Sequence, residues 1–133
     1  MGLPAAKQGD QILSVDLHIV MVPAPPAPPV PTPMPHPFVG VLSGGLSSDV
    51  MIMSKPAAVV GSTADNNPPH IAMAPGTTFQ KPPSNKATIQ LGSTTVMING
   101  KPAARNGDTA MTCNDPSDLP VGKIIAVGTV MIG

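Results

Sequence analysis

The amino-acid sequence predicts an all-β fold: three β-rich repeats around a pseudo-threefold axis, with the N- and C-terminal strands together completing one of them. Three observations lead there. A short apolar strand, a tight turn and a Pro-Ala-Ala stretch form one unit at residues 96–105 and again at residues 50–59. A third copy is divided, with Pro4-Ala5-Ala6-Lys7 near the start of the sequence and Thr129-Val130-Met131-Ile132-Gly133 at its end. Finally, 19 Pro and 13 Gly among 133 residues disfavour long helices, and no helical apolar period is present. A divided repeat points to a ring rather than an open stack, because the last half-unit is the missing partner of the first. Ring closure also removes free sheet edges.

One domain over residues 1–133 accommodates the three repeats: 1–22 with 120–133, then 37–80, then 86–119. In the first, alternation places Val15, Leu17 and Ile19 on one strand face and Ser14, Asp16, His18 and Val20 on the other. Residues 23–37 are dominated by proline. They read as an extended polyproline loop, stiff and unable to join a sheet interior, with an SH3-type ligand as the other reading. A strand follows at 37–42, a turn at Ser43-Gly44-Gly45, and then the second unit. Beyond a loop at 65–69, His70-Ile71-Ala72-Met73 reads as a short strand. A polar loop over 76–85 leads to an alternating strand at 87–91. The third unit occupies 95–113, a turn follows at 114–120, and residues 122–132 are again β-rich.

Composition narrows the function. Seven basic residues balance seven acidic ones, and every acid is Asp. A net charge of zero argues against a nucleic-acid binder, which needs a basic stripe. Phe38 and Phe79 are the only aromatics, so the core is thin and made of small side chains. Thin cores commonly need a staple such as a metal ion. A single Cys forms no internal disulfide, which points to a reducing compartment. The first ten residues lack the apolar region of a signal peptide, and no apolar run approaches the length of a membrane span.

The residues with metal-binding chemistry are few: His18, His36, His70 and Cys113. His18 and His70 stand at equal distances beyond the motif prolines Pro4 and Pro56, and Cys113 slightly nearer its own Pro102. In a threefold ring, such positions converge on the axis, and His36 supplies a fourth donor. Three imidazoles and a thiolate suit one tetrahedral, structural Zn²⁺ with no position left for water. Such sites contribute about 10–16 kcal/mol of apparent free energy in small peptides. The alternative chemistry makes Cys113 a nucleophile with a His as base, but no recognisable motif surrounds it. An open coordination position would favour a zinc enzyme instead.

Lys101-Pro102-Ala103-Ala104-Arg105-Asn106-Gly107-Asp108 resembles the motif of the PAAR-repeat proteins, and the resemblance extends over the whole chain. Only the third unit has the full Pro-Ala-Ala-Arg; Lys7 and Val59 replace the Arg in the other two. The resemblance implies a cone-shaped, non-catalytic protein with zinc near its apex, held by residues of the types at His18, His36, His70 and Cys113. It implies that a monomer caps a trimeric VgrG-like spike of a type VI secretion system, one copy per trimer, and sharpens it for membrane piercing. Effectors are further implied partners; membrane contact would occur only during puncture. The protein would reside in the bacterial cytoplasm before firing and leave the cell with the spike. Related cones tip phage tails and extracellular contractile injection systems. The turns at Met53-Ser54 and Asn99-Gly100 are the candidates for the face toward the spike. A different class of reading makes the chain an adaptor that recruits a partner through the proline-rich segment.

Overall fold

The computed structural model describes residues 2–133, and among these there is no helix. Three two-stranded hairpins carry the repeated motif. Strand β4 (Met51–Ile52) pairs with β5 (Lys55–Pro56), and β9 (Met97–Ile98) with β10 (Lys101–Pro102). The divided unit assembles in the same register: β1 (Leu3–Pro4) pairs antiparallel with β13 (Met131–Ile132), setting Pro4 opposite Met131 as Pro56 is opposite Met51.

The Pro-Ala-Ala stretches then join one another. Ala6 donates its N–H to Ala104, Ala104 to Ala58 and Ala58 to Ala6, each at 3.0 Å. Bridges link Ala5 to Arg105, Ala57 to Lys7 and Ala103 to Val59. The cycle passes through all three units before it closes. Three backbones this close leave space for little beyond a methyl group, and all six alanines are buried. Ala5, Ala57 and Ala103 pack with Ile52, Ile98 and Ile132 in one small core; Ala6, Ala58 and Ala104 belong to a second core with Ile12, Phe38 and Leu42. The fourth motif position fixes the following turn. Arg105 N–H bonds Asp108 Oδ2 and its guanidinium pairs with the same carboxylate; Lys7 and Asp10 repeat this arrangement. In the second unit Ser62 Oγ accepts the Val59 N–H, and Val59 joins the small core.

From each motif a strand runs away from the hairpins: β2 (Gln11–Ala24), β6 (Thr63–Asn66) and β11 (Thr109–Thr112). Each starts the same number of residues after its proline. The chain returns along β3 (Ala27–Gly44), β8 (Lys86–Ile89) and β12 (Leu119–Ile125). Pairings β2–β3, β3–β6, β6–β8, β8–β11, β11–β12 and β12–β2 close a six-stranded antiparallel wall. Strand β7 (Thr78–Phe79) adds to β2 farther out.

Besides β7, which falls in the expected loop at 76–85, two segments differ from the sequence reading. The proline-rich stretch is not a loop but most of a long hairpin, paired from Gln11↔Val41 to Ala24↔Ala27. The reason is parity. Pro31, Pro33, Pro35 and Pro37 face Met21, Ile19, Leu17 and Val15, whose own backbone groups point away from β3. Leu17 and Ile19 N–H groups bond the side chains of Asn114 and Asp115, and Met21 O accepts from Thr77. The prolines therefore fall where β3 needs no donor toward β2, and its outer edge carries none. The second difference is at His70-Ile71-Ala72-Met73, which is not a strand. Prolines flank it, and its N–H groups bond side chains instead: His70 to Asn85 Oδ1 and Met73 to His36 Nε2.

Candidate metal centre

At the ends of the strands farthest from the hairpins, the inward face of β2 is polar. Ser14, Asp16 and His18 point inside, while Leu13, Val15 and Leu17 are exposed. Asp16 lies opposite His36 in the β2–β3 register. His70 follows β6 and Cys113 follows β11, so all three outgoing strands deliver donors to one place.

Asp16, His18, His70 and Cys113 bring one ligand atom each within 4.8 Å of one another. His70 Nε2 is 2.9 Å from Asp16 Oδ2; Cys113 Sγ is 3.5 Å from that oxygen and 3.6 Å from His18 Nε2. Tetrahedral zinc with bonds of about 2.0–2.3 Å spaces its ligands by roughly 3.3–3.8 Å, so the group needs little rearrangement to take an ion. His18 Nδ1 is the single buried side-chain polar atom without a hydrogen bond among the described residues, 3.6 Å from Asp115 Oδ2. A metal on Nε2 would leave the proton on Nδ1, facing that carboxylate. Imidazole, thiolate and carboxylate donors together fit a borderline-soft divalent cation.

Three of the four residues expected from sequence thus meet, and the fourth sits beside them. The His36 ring centroid is 5.5 Å from that of His18 and 5.6 Å from that of His70. Its Nδ1 bonds Met34 O at 2.9 Å, and its Nε2 accepts the Met73 N–H at 3.2 Å. In this geometry the fourth donor is Asp16, which the repeat-matched offsets did not single out. A signal was present: Asp16 lies two residues before His18, on the same strand face.

Surrounding side chains hold the donors in place. Thr112 Oγ1 and Ser14 Oγ both donate to Asp16 Oδ1, at 2.6 and 2.8 Å, leaving Oδ2 toward His70 and Cys113. Asn114 and Asp115 accept the N–H groups of Leu17 and Ile19 on either side of His18, fastening the residues after Cys113 to β2. Asn66 Nδ2 meets His70 Nδ1 at 3.2 Å, and Phe79 lies edge-on to His18 and tilted against His36.

Burial raises the Cys113 thiol, with help from the nearby Asp16 charge, to about 11. Burial lowers His18 and His36, with the His70 charge adding to the effect on His18. Asp16 stays low: burial opposes its charge, but hydrogen bonds from His70, Thr112, Ser14 and Cys113 outweigh that. A protonated, buried thiol is a poor nucleophile, and the cleft beside it holds only about 60 Å³.

Met53, Ser54, Asn99 and Gly100 lie at the opposite end, in the two-residue hairpin turns. All four have positive φ, from 51° to 77°. Asn99 also reaches across to the second unit, where its side chain bonds Ser47 Oγ and Asp49 Oδ2.

A family model described as PAAR motif matches residues 33–113 and again 79–133. No curated protein matches the chain significantly.

Proposed function

Because the chain belongs to the PAAR-motif family, a structural rather than catalytic family associated with the spike tips of type VI-like systems, we propose that it is the tip of a contractile spike. In this reading one monomer caps the blunt end of a trimeric VgrG-like spike of a type VI secretion system. It waits in the bacterial cytoplasm and leaves with the spike, touching a membrane only at puncture; effectors can attach through the spike or the tip. The hairpin end, with the turns Met53-Ser54 and Asn99-Gly100, faces the spike. The long hairpin of β2 and β3 forms the leading point of a cone and extends roughly 20 Å beyond His18.

The observation that carries this reading is the cycle of Ala6, Ala58 and Ala104 hydrogen bonds. It gives a single chain a threefold end, and a threefold end is what one copy needs to meet three identical subunits alike. Zn²⁺ is the ion proposed for the far end, held by His18, His70 and Cys113 with Asp16 at the fourth position. When bound, it would cross-link the three outgoing strands where no hydrophobic core fits. His36 would enter the set by giving up the Met73 N–H.

The adaptor reading loses ground, because the prolines are paired in a β-hairpin rather than free as a polyproline helix. Light scattering or mass photometry of the chain mixed with a homotrimeric VgrG-like spike tests the proposal. One chain per trimer is the expected result; a stable homotrimer of this chain alone, or three chains per spike trimer, would overturn it. X-ray absorption of the zinc-loaded protein counts its imidazoles: two for the arrangement seen here, three if His36 displaces Asp16.

A further inference from the structure

Three methionines repeat on the hairpins. Met51, Met97 and Met131 each precede the buried isoleucine of their unit. They are 54%, 56% and 56% exposed, whereas Ile52, Ile98 and Ile132 are 6%, 7% and 6% exposed. Each methionine lies directly across the hairpin from a motif proline: Met51 from Pro56, Met97 from Pro102, Met131 from Pro4. Opposed residues of an antiparallel pair share a face, so every unit offers the same Met-Pro apolar spot. The near-identical exposures run through all three units, whereas the exposed apolar group around Val15, Leu17 and Val39 occupies a single flank on β2 and β3.

We propose that Met51, Met97 and Met131, with the prolines opposite them, form the contact ring for the apolar end of a homotrimer, one Met-Pro spot per partner subunit. This rests on the spike-tip reading and gives that docking face its residues. Symmetry selects the occupant: a partner with one or two subunits would cover one or two spots and leave the rest in water. A C3 partner covers all three with three copies of one pocket. Methionine suits the task physically. Its unbranched, polarizable side chain adapts to irregular pockets, which lets three chemically similar but non-identical units fit three identical sites. The ring also shifts the weight of the interface away from the turns. Asn99 already bonds the neighbouring unit, so its replacement would alter the hairpins as well as the contact.

The test uses the full chain, zinc-loaded, against a homotrimeric VgrG-like spike from the same organism. Met51→Ser, Met97→Ser and Met131→Ser should each weaken binding about tenfold and by similar factors. The triple variant should lose measurable binding, with unchanged zinc content and melting temperature. Val15→Ser with Leu17→Ser, on the flank, should leave affinity unchanged. Wild-type binding together with undiminished binding by the triple variant overturns the contact ring and leaves the spike-tip reading standing. Equal losses from the flank variant also overturn it. Failure of the wild-type chain to bind the trimer overturns both.

Discussion

The hairpin end and the histidine end of this protein are built by opposite means. At the hairpin end three units do the same thing: backbone amides exchange hydrogen bonds in a cycle, and alanine methyls fill what is left. At the histidine end the units diverge: two bring a histidine at the same offset from the motif proline, and the third brings a cysteine. One strand brings Asp16 and His18, and the other two lead to His70 and Cys113; the supports, Asn66, Asn85, Thr112 and Asp115, differ in kind from place to place. The contrast follows from what each end must satisfy. A backbone cycle is met by any residue small enough, so repetition suffices. Four donors around a single ion must approach from four directions, and three equal units cannot supply that.

On the zinc reading, withdrawal of the metal should break the contrast most visibly. Chelation, or Cys113→Ala, removes a share of the ~10–16 kcal/mol that closed zinc sites supply, and the melting temperature should fall by more than about 10 °C. Hydrogen exchange should rise first at residues 70–85 and 113–118, while the amides of Ala6, Ala58 and Ala104 stay protected until global unfolding. Ring amides that exchange as fast as those beside Cys113 would erase the distinction between the ends.

A lesion at the other end should behave in reverse. Ala58→Leu forces a larger side chain into the cycle and should cost about 1–3 kcal/mol or more. Calorimetry should show that stability drops while the folded fraction still binds one zinc.

Protons sharpen the chemistry of the donor cluster. Cys113 is held protonated to about 11, whereas Asp16 is held ionised, and burial favours neutral His18 and His36. Binding of Zn²⁺ near pH 7.5 should therefore release about one proton, from Cys113. Titration calorimetry in buffers of different ionisation enthalpy measures it; a release near zero would mean the thiol is not a ligand. The acid side follows from the lowered histidines. Their neutral forms contribute stability that is fully present above the unfolded value of 6.5, and it is lost as pH falls from there through the lower folded values.

The smallest effect concerns the turns. Asn99-Gly100 suits two consecutive positive φ angles, but Met53-Ser54 adopts 51° and 68° with residues that resist them. Met53→Asn with Ser54→Gly should relieve strain of about 1–2 kcal/mol per residue at most and raise the melting temperature by a few degrees. An unchanged melting temperature would show that Met53, which lies against Gly128 of the next unit, repays its strain through packing.

Much of this was legible before any coordinates. The divided repeat revealed that Leu3–Pro4 meets Met131–Ile132, because a half-unit at each end has only one place to pair. Equal offsets from the motif prolines brought His18 and His70 together with Cys113. Asp16 escaped because its one signal, a place two residues before His18 on the same strand face, lies outside the repeat-matched offsets, and the Thr112 that holds it is distant in sequence. The proline-rich segment was misread for a different reason. Its composition says loop, but the information lay in the odd-numbered placement of Pro29, Pro31, Pro33, Pro35 and Pro37, which leaves Val30, Thr32, Met34 and His36 between them free to donate.

That alternation gives the long β2–β3 hairpin an adjustable length. Side-chain face and missing donor share a period of two residues, so one Pro-Xaa step added to β3, opposite two residues added to β2, moves the hairpin turn outward by about 6.7 Å without rotating anything beneath it. A step of one residue would turn the proline rings inward and present a row of amides at the edge. Reach is therefore quantised, and it can change while the donors around Cys113 keep their places.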